Sequence, residues 1–294
     1  MKPASARATS TGFAFLAIAS LGWGLNWPVM KHLLTELPPL TARGLSGVAG
    51  AVALAMIALA WRQNLKVPRH LWPRLIAISW LTIGAWVAFI GMALVWLNAG
   101  EAAVLASSGP VWVSLLAWPI LRERFSLLRA VALIVAMTGL AVLFGANSFD
   151  ARIEKLPGVA FAIAGALCWA LGTVLTKRFP LQLPPVSLAA WQVALGCLPV
   201  AAIGLAIEQP DLSALSGVGW ASLGYMTLMQ FCVCYVCWFA ALERLPASTA
   251  SIATLLVPVV GVMASAAMLH EPLGVRELLA LTLTLAGVVI AARS

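Results

Sequence analysis

Apolar residues come along this chain in long unbroken runs, without the strict alternation of strands or the polar stripe of a helix lying on a water-exposed surface. Each run is about 18 to 25 residues, enough to cross a hydrocarbon core of about 30 Å as a helix. Charges, prolines and short polar loops set the breaks. They place ten helices near 12–32, 39–61, 73–97, 102–121, 127–145, 157–178, 185–207, 216–242, 248–269 and 274–292. Alternating segments of roughly ten residues, the mark of a membrane barrel, are missing from the sequence. The pattern therefore predicts an all-α integral membrane protein.

The same landmarks recur in two halves. Shifting the chain by 146 aligns Gly12 with Gly158, Phe15 with Phe161, Trp23 with Trp169, Lys31 with Lys177, Leu37-Pro38-Pro39 with Leu183-Pro184-Pro185 and Gly50 with Gly196. Shifting it by 148 aligns Leu97 with Leu245, Pro110 with Pro258, Glu123 with Glu271 and Gly139 with Gly287. Residues 1–150 and 151–294 thus hold five predicted helices each. Five is odd, so the second half must enter the membrane from the opposite side. Such inverted-topology repeats build many secondary transporters, with the substrate site at the midplane where the halves meet.

Composition agrees with a membrane protein: 62% hydrophobic, 10% charged, mean hydropathy +0.99. The net charge of +8 does not point to nucleic acid, because the basic residues sit in short loops and not on one folded face. They act as topology signals. With the N-terminus inside, 13 Lys and Arg fall on the cytoplasmic side and 5 on the other. Both termini are therefore expected in the cytoplasm. The apolar run after Lys2 and Arg7 continues to Lys31, so it reads as a first span and not as a cleaved signal.

Several classes of chemistry find no support. The connections are short, and no Gly-x-x-x-x-Gly-Lys-Ser/Thr phosphate loop occurs. Cys168, Cys197, Cys232, Cys234 and Cys237 lie in apolar runs without paired spacing or nearby histidines and read as packing residues. His32, His70 and His270 are scattered in loops, which leaves an enzyme without a catalytic cluster. No metal or cofactor is expected.

Candidate transport residues are the polar and aromatic side chains at mid-depth. Trp23, Asn26 and Trp27 share one broad helix face, with Gly22 and Gly24 beside them and Pro28 unable to donate to the Gly24 carbonyl. Trp86, Trp112 and Trp169 are also mid-depth, where an indole N–H needs an internal partner or a wet cavity. Thr82, Trp86, Phe89, Ala93 and Trp96 form one stripe, faced by the small polar patch of Ser107, Ser108 and Pro110. Tyr225 and Gln230 stand on the eighth run, and a midplane glutamine is a functional candidate by default. Gly22, Gly24, Pro28, Pro110 and Pro258 are expected to bend. Glu123 and Glu271 read as loop-fixing residues. No ionisable residue lies at the centre of a run; Arg43 and Glu101 come nearest. A neutral aromatic cavity follows, with facilitated diffusion or exchange in place of proton coupling.

With these landmarks in place, the sequence resembles the EamA branch of the drug/metabolite transporter superfamily. The resemblance rests on Trp23-Gly24-x-Asn26 with Lys31, Pro38-Pro39 followed by Arg43, and Pro110 with Arg122-Glu123-Arg124 and Gly139, and on Pro258, Glu271-Pro272 and Gly287 in the second half. Within that branch the aromatic amino-acid exporters are most similar. The resemblance implies export of amino acids and related metabolites across the bacterial inner membrane, with a lipid bilayer as the only other partner and a monomer sufficient. An exporter of cationic aromatic drugs is the nearest rival reading, since indole faces attract cations; a membrane scaffold or enzyme is a remote one.

Overall fold

The computed structural model describes residues 6–93, 95–97, 102, 105–123, 126–144, 153–269 and 274–292, and among these every regular element is helical. The first two runs form α1 (Ala6–Leu33) and α2 (Pro39–Ala60). The third is composite: α3 (Trp72–Ser79) passes through a π-helical segment (Trp80–Gly84) into α4 (Ala85–Ala93). α5 (Gly109–Leu121) and α6 (Leu127–Phe144) follow. The second half contains α7 (Leu156–Arg178) and α8 (Pro185–Ile207). Next comes a second composite, α9 (Gly217–Tyr225), a π-helical segment (Met226–Cys234) and α10 (Tyr235–Arg244). α11 (Ala247–Ala253), α12 (Leu256–Leu269) and α13 (Val275–Ala292) complete the chain.

Among the described residues, six helical stretches are long and apolar enough to cross a membrane: Thr9–Met30, Pro39–Ala60, Arg69–Ala93, Leu156–Arg178, Pro185–Ile207 and Gly217–Arg244. Their outward faces carry exposed apolar side chains such as Leu21, Met56, Leu59, Ile203 and Leu228. Lipid tails accept that surface without cost, whereas the backbone polar groups must be satisfied within the helices.

Two of the helices expected from the sequence are interrupted. The one placed at 102–121 breaks at Ser107 and Ser108, between helical Leu105 and Ala106 and the start of α5 at Gly109, and the one at 248–269 breaks at Thr254 and Leu255. Each break directly precedes a proline, Pro110 or Pro258, which lacks an N–H and crowds the turn before it. The backbone tightens there into three-residue steps, Val111 N–H to the Ser108 carbonyl and Val257 N–H to the Thr254 carbonyl, both 2.9 Å. Pro28 behaves differently, for α1 stays helical through it to Leu33.

The most extensive packing joins α2 to α8, and next α6 to α13. Close approach is possible because small residues meet: a Cβ added at Gly44 would stand 2.5 Å from the Ala201 Cα, and one added at Gly204 would stand 2.7 Å from the Thr41 backbone nitrogen. Packing density of this kind is the main attraction between helices in lipid, where no hydrophobic gain is available. Both helices start identically. Extended Pro38 and Pro184 precede Pro39 and Pro185, whose fixed φ suits the first helical turn.

The exposed N–H groups at those two starts are then met from the far end of the partner helix. Glu208 Oε1 accepts from Leu40 N–H at 3.0 Å, and its Oε2 accepts from Thr41 N–H at 2.7 Å and from the Thr41 hydroxyl at 2.8 Å. At the other end Gln63 Oε1 accepts from the N–H and hydroxyl of Ser187, both at 3.4 Å.

Candidate functional site

A cavity of about 150 Å³ opens where elements of both halves converge. α1 contributes Trp23, Asn26 and Met30; α2 contributes Arg43; α4 contributes Trp86 and Ile90; and Ala102, Ala106, Ser107 and Pro110 come from the interrupted stretch. From the second half come Trp169 on α7, Gln230 in the π-helical segment, Tyr235 at the start of α10, and Thr254, Leu255, Val257 and Pro258 around the other break. Both helix breaks thus face the cavity.

Aromatic rings close one side of it in a continuous chain. Trp86 meets Trp169 with ring centroids 6.0 Å apart, Trp169 meets Trp238 at 5.5 Å, Trp238 meets Trp23 at 6.0 Å, and Trp23 meets Tyr235 edge-on at 5.6 Å. Trp238 is fully buried behind the lining, and its indole N–H has no partner among the described residues. Such edge-on and tilted pairs suit ring quadrupoles and contribute beyond their buried area.

Polar capacity at the cavity is unspent. The Asn26 Oδ1 and Gln230 Oε1 atoms are buried without a hydrogen-bond partner among the described residues, as is Arg43 Nε. Arg43 is only 4% exposed and forms no ion pair or hydrogen bond with a described residue; Tyr235 and Cys197 are its ionisable neighbours. Buried polar groups are nearly always satisfied, so three unsatisfied ones around one cavity call for a ligand or ordered water. They offer a cation and two amide oxygens beside an aromatic wall.

Away from the cavity, several helix ends are tied together. Glu123, after α5, accepts from the Ala247 N–H at 2.9 Å and from the Ser248 hydroxyl at 2.6 Å at the start of α11, with Arg129 Nη1 at 3.5 Å. Lys177 Nζ donates to the carbonyls of Leu242 and Leu245 at the end of α10. The Glu123 contacts with Ala247 and Ser248 link the two halves, and the Lys177 contacts tie α7 to the end of α10 within the second half.

A sequence model of the EamA-like transporter family matches this chain twice, over residues 10–145 and again over 156–293. The chain belongs to that family. One relative is "Uncharacterized transporter YvbV" of Bacillus subtilis (strain 168), 28% identical over 278 residues that make up 93% of this chain and 88% of the relative. Another, from Salmonella typhimurium, is "Probable amino-acid metabolite efflux pump", 27% identical over 288 residues, 95% of this chain and 93% of the relative. A solved crystal structure shares the fold with a TM-score of 0.81 at 22% identity, covering 97% of this chain and 96% of that one. The molecule is a multi-pass helical membrane protein and a transporter, not an enzyme.

In this EamA-like transporter, Trp23, Asn26, Trp86, Ser107, Trp169, Gln230, Pro110 and Pro258 come together around the cavity. The Trp27 side chain, Glu101 and Glu271 lie outside the described residues. Other candidates stand elsewhere. Phe89 packs on Phe161 at 5.9 Å, Ser108 donates to the Leu105 carbonyl at 2.6 Å, and the Trp112 indole donates to Ser108 Oγ at 3.1 Å. The Tyr225 hydroxyl donates to the Gly22 carbonyl at 3.1 Å. Gly22 and Gly24 are contact points: an added Cβ would stand 2.4 Å from Cys234 Sγ at the first and 2.5 Å from Val260 Cβ at the second.

Two features depart from the sequence reading. A charged residue, Arg43, is among the described residues that line the cavity; its long side chain carries charge inward from the second turn of α2. And Tyr235, not Tyr225, lines it. The nine-residue π-helical segment between the two tyrosines changes the rotation per residue, and its wider turn brings Tyr235, five residues after Gln230, toward the same face. π-helical turns in long helices are themselves a signal of functional sites, but apolar periodicity does not display them.

Proposed function

We propose that this EamA-like transporter exports amino acids, aromatic ones included, from the cytoplasm across the bacterial inner membrane. In this reading ten spans form two inverted five-helix repeats, 1–150 and 151–294, both termini are cytoplasmic, and a monomer suffices. The observation that carries it is the cavity between the halves, with an aromatic wall beside buried, unsatisfied Asn26 and Gln230. An amide oxygen accepts from an ammonium group, and indole faces pack an apolar or aromatic side chain.

The repeat architecture is supported by paired contacts. α1 packs on α10 as α7 packs on α4, α1 packs on α12 as α7 packs on α5, and each of α2 and α8 packs on the other half's π-helical segment. The π-helical segments begin at Trp80 and Met226, separated by the same 146 residues as Trp23 and Trp169. The family matches to 10–145 and 156–293 agree with this division, and the name of the Salmonella relative agrees with the substrate class. Transport follows as rocking of one half on the other around the cavity, driven by facilitated diffusion or exchange.

Flux of labelled phenylalanine, tryptophan and threonine into liposomes holding the purified protein tests the reading. Saturable flux that rises when unlabelled amino acid is present on the far side is expected. Trp23→Ala and Trp169→Ala should each cut it several-fold while the protein stays monodisperse. If folded protein moves none of the three, the amino-acid assignment is wrong.

A further inference from the structure

We infer that Arg43 is the carboxylate receptor of the cavity, so that the transporter selects organic anions and zwitterions bearing a carboxylate and rejects amines that lack one. The inference deepens the amino-acid reading above and rests on it for the route of transport. Its own basis is the electrostatic state of one side chain.

Arg43 lines the cavity, is 4% exposed, and has no ion pair or hydrogen bond among the described residues. A guanidinium in a low-dielectric interior without a counter-charge is costly, and such residues in membrane spans mark substrate paths. Among the described residues, the nearest acids are engaged elsewhere. Glu208, which follows α8 and meets the start of α2, gives both carboxylate oxygens to Leu40 and Thr41. Glu123 caps α11, and Glu36 holds Ser216. No carboxylate appears among the described lining residues. The described lining residues thus bring one positive charge and no negative one.

A guanidinium presents a planar fork that matches the two oxygens of a carboxylate, and a charge-assisted pair of this kind is about twice as strong as a neutral hydrogen bond. The remaining lining groups suit the rest of an amino acid: the Asn26 and Gln230 oxygens can take its ammonium, and the Trp23 and Trp169 rings its side chain. A cationic aromatic drug meets the same rings but also the uncompensated guanidinium. Charge repulsion in a dry site then outweighs the cation–π attraction.

The test is a matched series on detergent-purified full-length protein: phenylalanine, 3-phenylpropionate, which lacks the amino group, and phenethylamine, which lacks the carboxylate. Binding is read as the concentration dependence of thermal stabilisation, in wild type, Arg43→Gln and Arg43→Lys, each first checked for monodispersity. Phenylalanine and 3-phenylpropionate should bind wild type at least tenfold more tightly than phenethylamine. Arg43→Gln should erase that preference, and Arg43→Lys should keep part of it, because the charge remains without the fork.

A purely structural arginine would lower stability without changing the ranking of the three ligands. Equal affinities in wild type, or a preference for phenethylamine, would overturn the inference, and that ranking needs no variant to fold. So would a failure of all three to bind folded wild type. Glu101, outside the described residues, is the acid whose loss separates a substrate receptor from an internal ion pair. Glu101→Gln is expected to leave the carboxylate preference unchanged, and a preference that arises or grows tenfold only in Glu101→Gln would assign Arg43 to Glu101 in the wild type. If 3-phenylpropionate binds through Arg43 but no amino acid is carried in liposomes, the receptor stands and the amino-acid reading falls.

Discussion

The N-termini of α2 and α8 lie at opposite ends of one helix pair and begin with the same Leu-Pro-Pro sequence, yet they are held with unequal strength. Glu208 meets α2 with a carboxylate and three hydrogen bonds of 2.7 to 3.0 Å, whereas Gln63 meets α8 with an amide oxygen and two contacts of 3.4 Å. A carboxylate complements the partial positive charge of a helix start, which an amide does only weakly. Close glycine contacts to backbone, Gly44 on Ala201 and Gly204 on Thr41, are also at the Glu208 end. The pair is therefore pinned at one end and looser at the other. Arg43 rides on the pinned end, which fixes the receptor while the opposite end is free to adjust.

The comparison can be broken by four changes, of decreasing effect. Gly204→Val forces side-chain atoms into the Thr41 and Leu40 backbone, where nothing flexible can yield. Overpacking there should cost about 3 kcal/mol or more and appear as loss of monodisperse protein on size-exclusion chromatography. Glu208→Ala leaves two N–H groups and a hydroxyl unsatisfied at the start of α2, for an expected loss of about 2 kcal/mol in thermal unfolding, with Glu208→Gln intermediate. Gln63→Ala removes only long contacts, so a change below about 0.5 kcal/mol is expected. If Gln63→Ala matches Glu208→Ala, the asymmetry between the two ends is wrong.

The smallest effect belongs to a latch between the halves. Glu36 accepts from the Ser216 N–H at 2.7 Å and its hydroxyl at 2.8 Å, with His32 Nε2 at 3.0 Å. The Ser216 backbone hydrogen bond, followed by its hydroxyl and then His32, holds the Glu36 carboxyl below its ordinary value of 4.5. A carboxyl with a lowered folded value stabilises the fold above the ordinary value, and this is lost as pH falls through the lowered one. Unfolding temperatures between pH 6 and 3 should thus decline less steeply in Glu36→Gln than in wild type. Parallel curves would show that the latch contributes nothing to the folded state.

Much of this architecture was legible in the residues because membrane helices state themselves through length and composition. The apolar runs, the Pro-Pro starts and the offset of 146 all lie in linear order. The cavity tryptophans and the amides Asn26 and Gln230 were legible for the same reason: a polar atom in the middle of an apolar run must find a partner inside. Arg43 was discounted by its position near a helix end, which tells where a Cα sits but not how far a six-atom side chain carries its charge. Tyr235 and Trp238 were hidden by the π-helical segment, which shifts every later side chain around the helix axis. Glu208 could not be read at all, for its partners Leu40 and Thr41 are some 168 residues away.

The chain of rings from Trp86 through Trp169, Trp238 and Trp23 to Tyr235 crosses between the two halves three times: Trp86 and Trp23 belong to the first, Trp169, Trp238 and Tyr235 to the second. Ring pairs keep most of their attraction over centroid separations of about 4.5 to 7 Å and a wide range of tilt, whereas a hydrogen bond weakens steeply once its angle departs from linear. Rings from opposing halves can accordingly slide and re-tilt past one another with little loss of attraction. In mechanical terms the aromatic chain is a bearing: it keeps the sliding surfaces in contact and dry while the parts that carry direction turn around it.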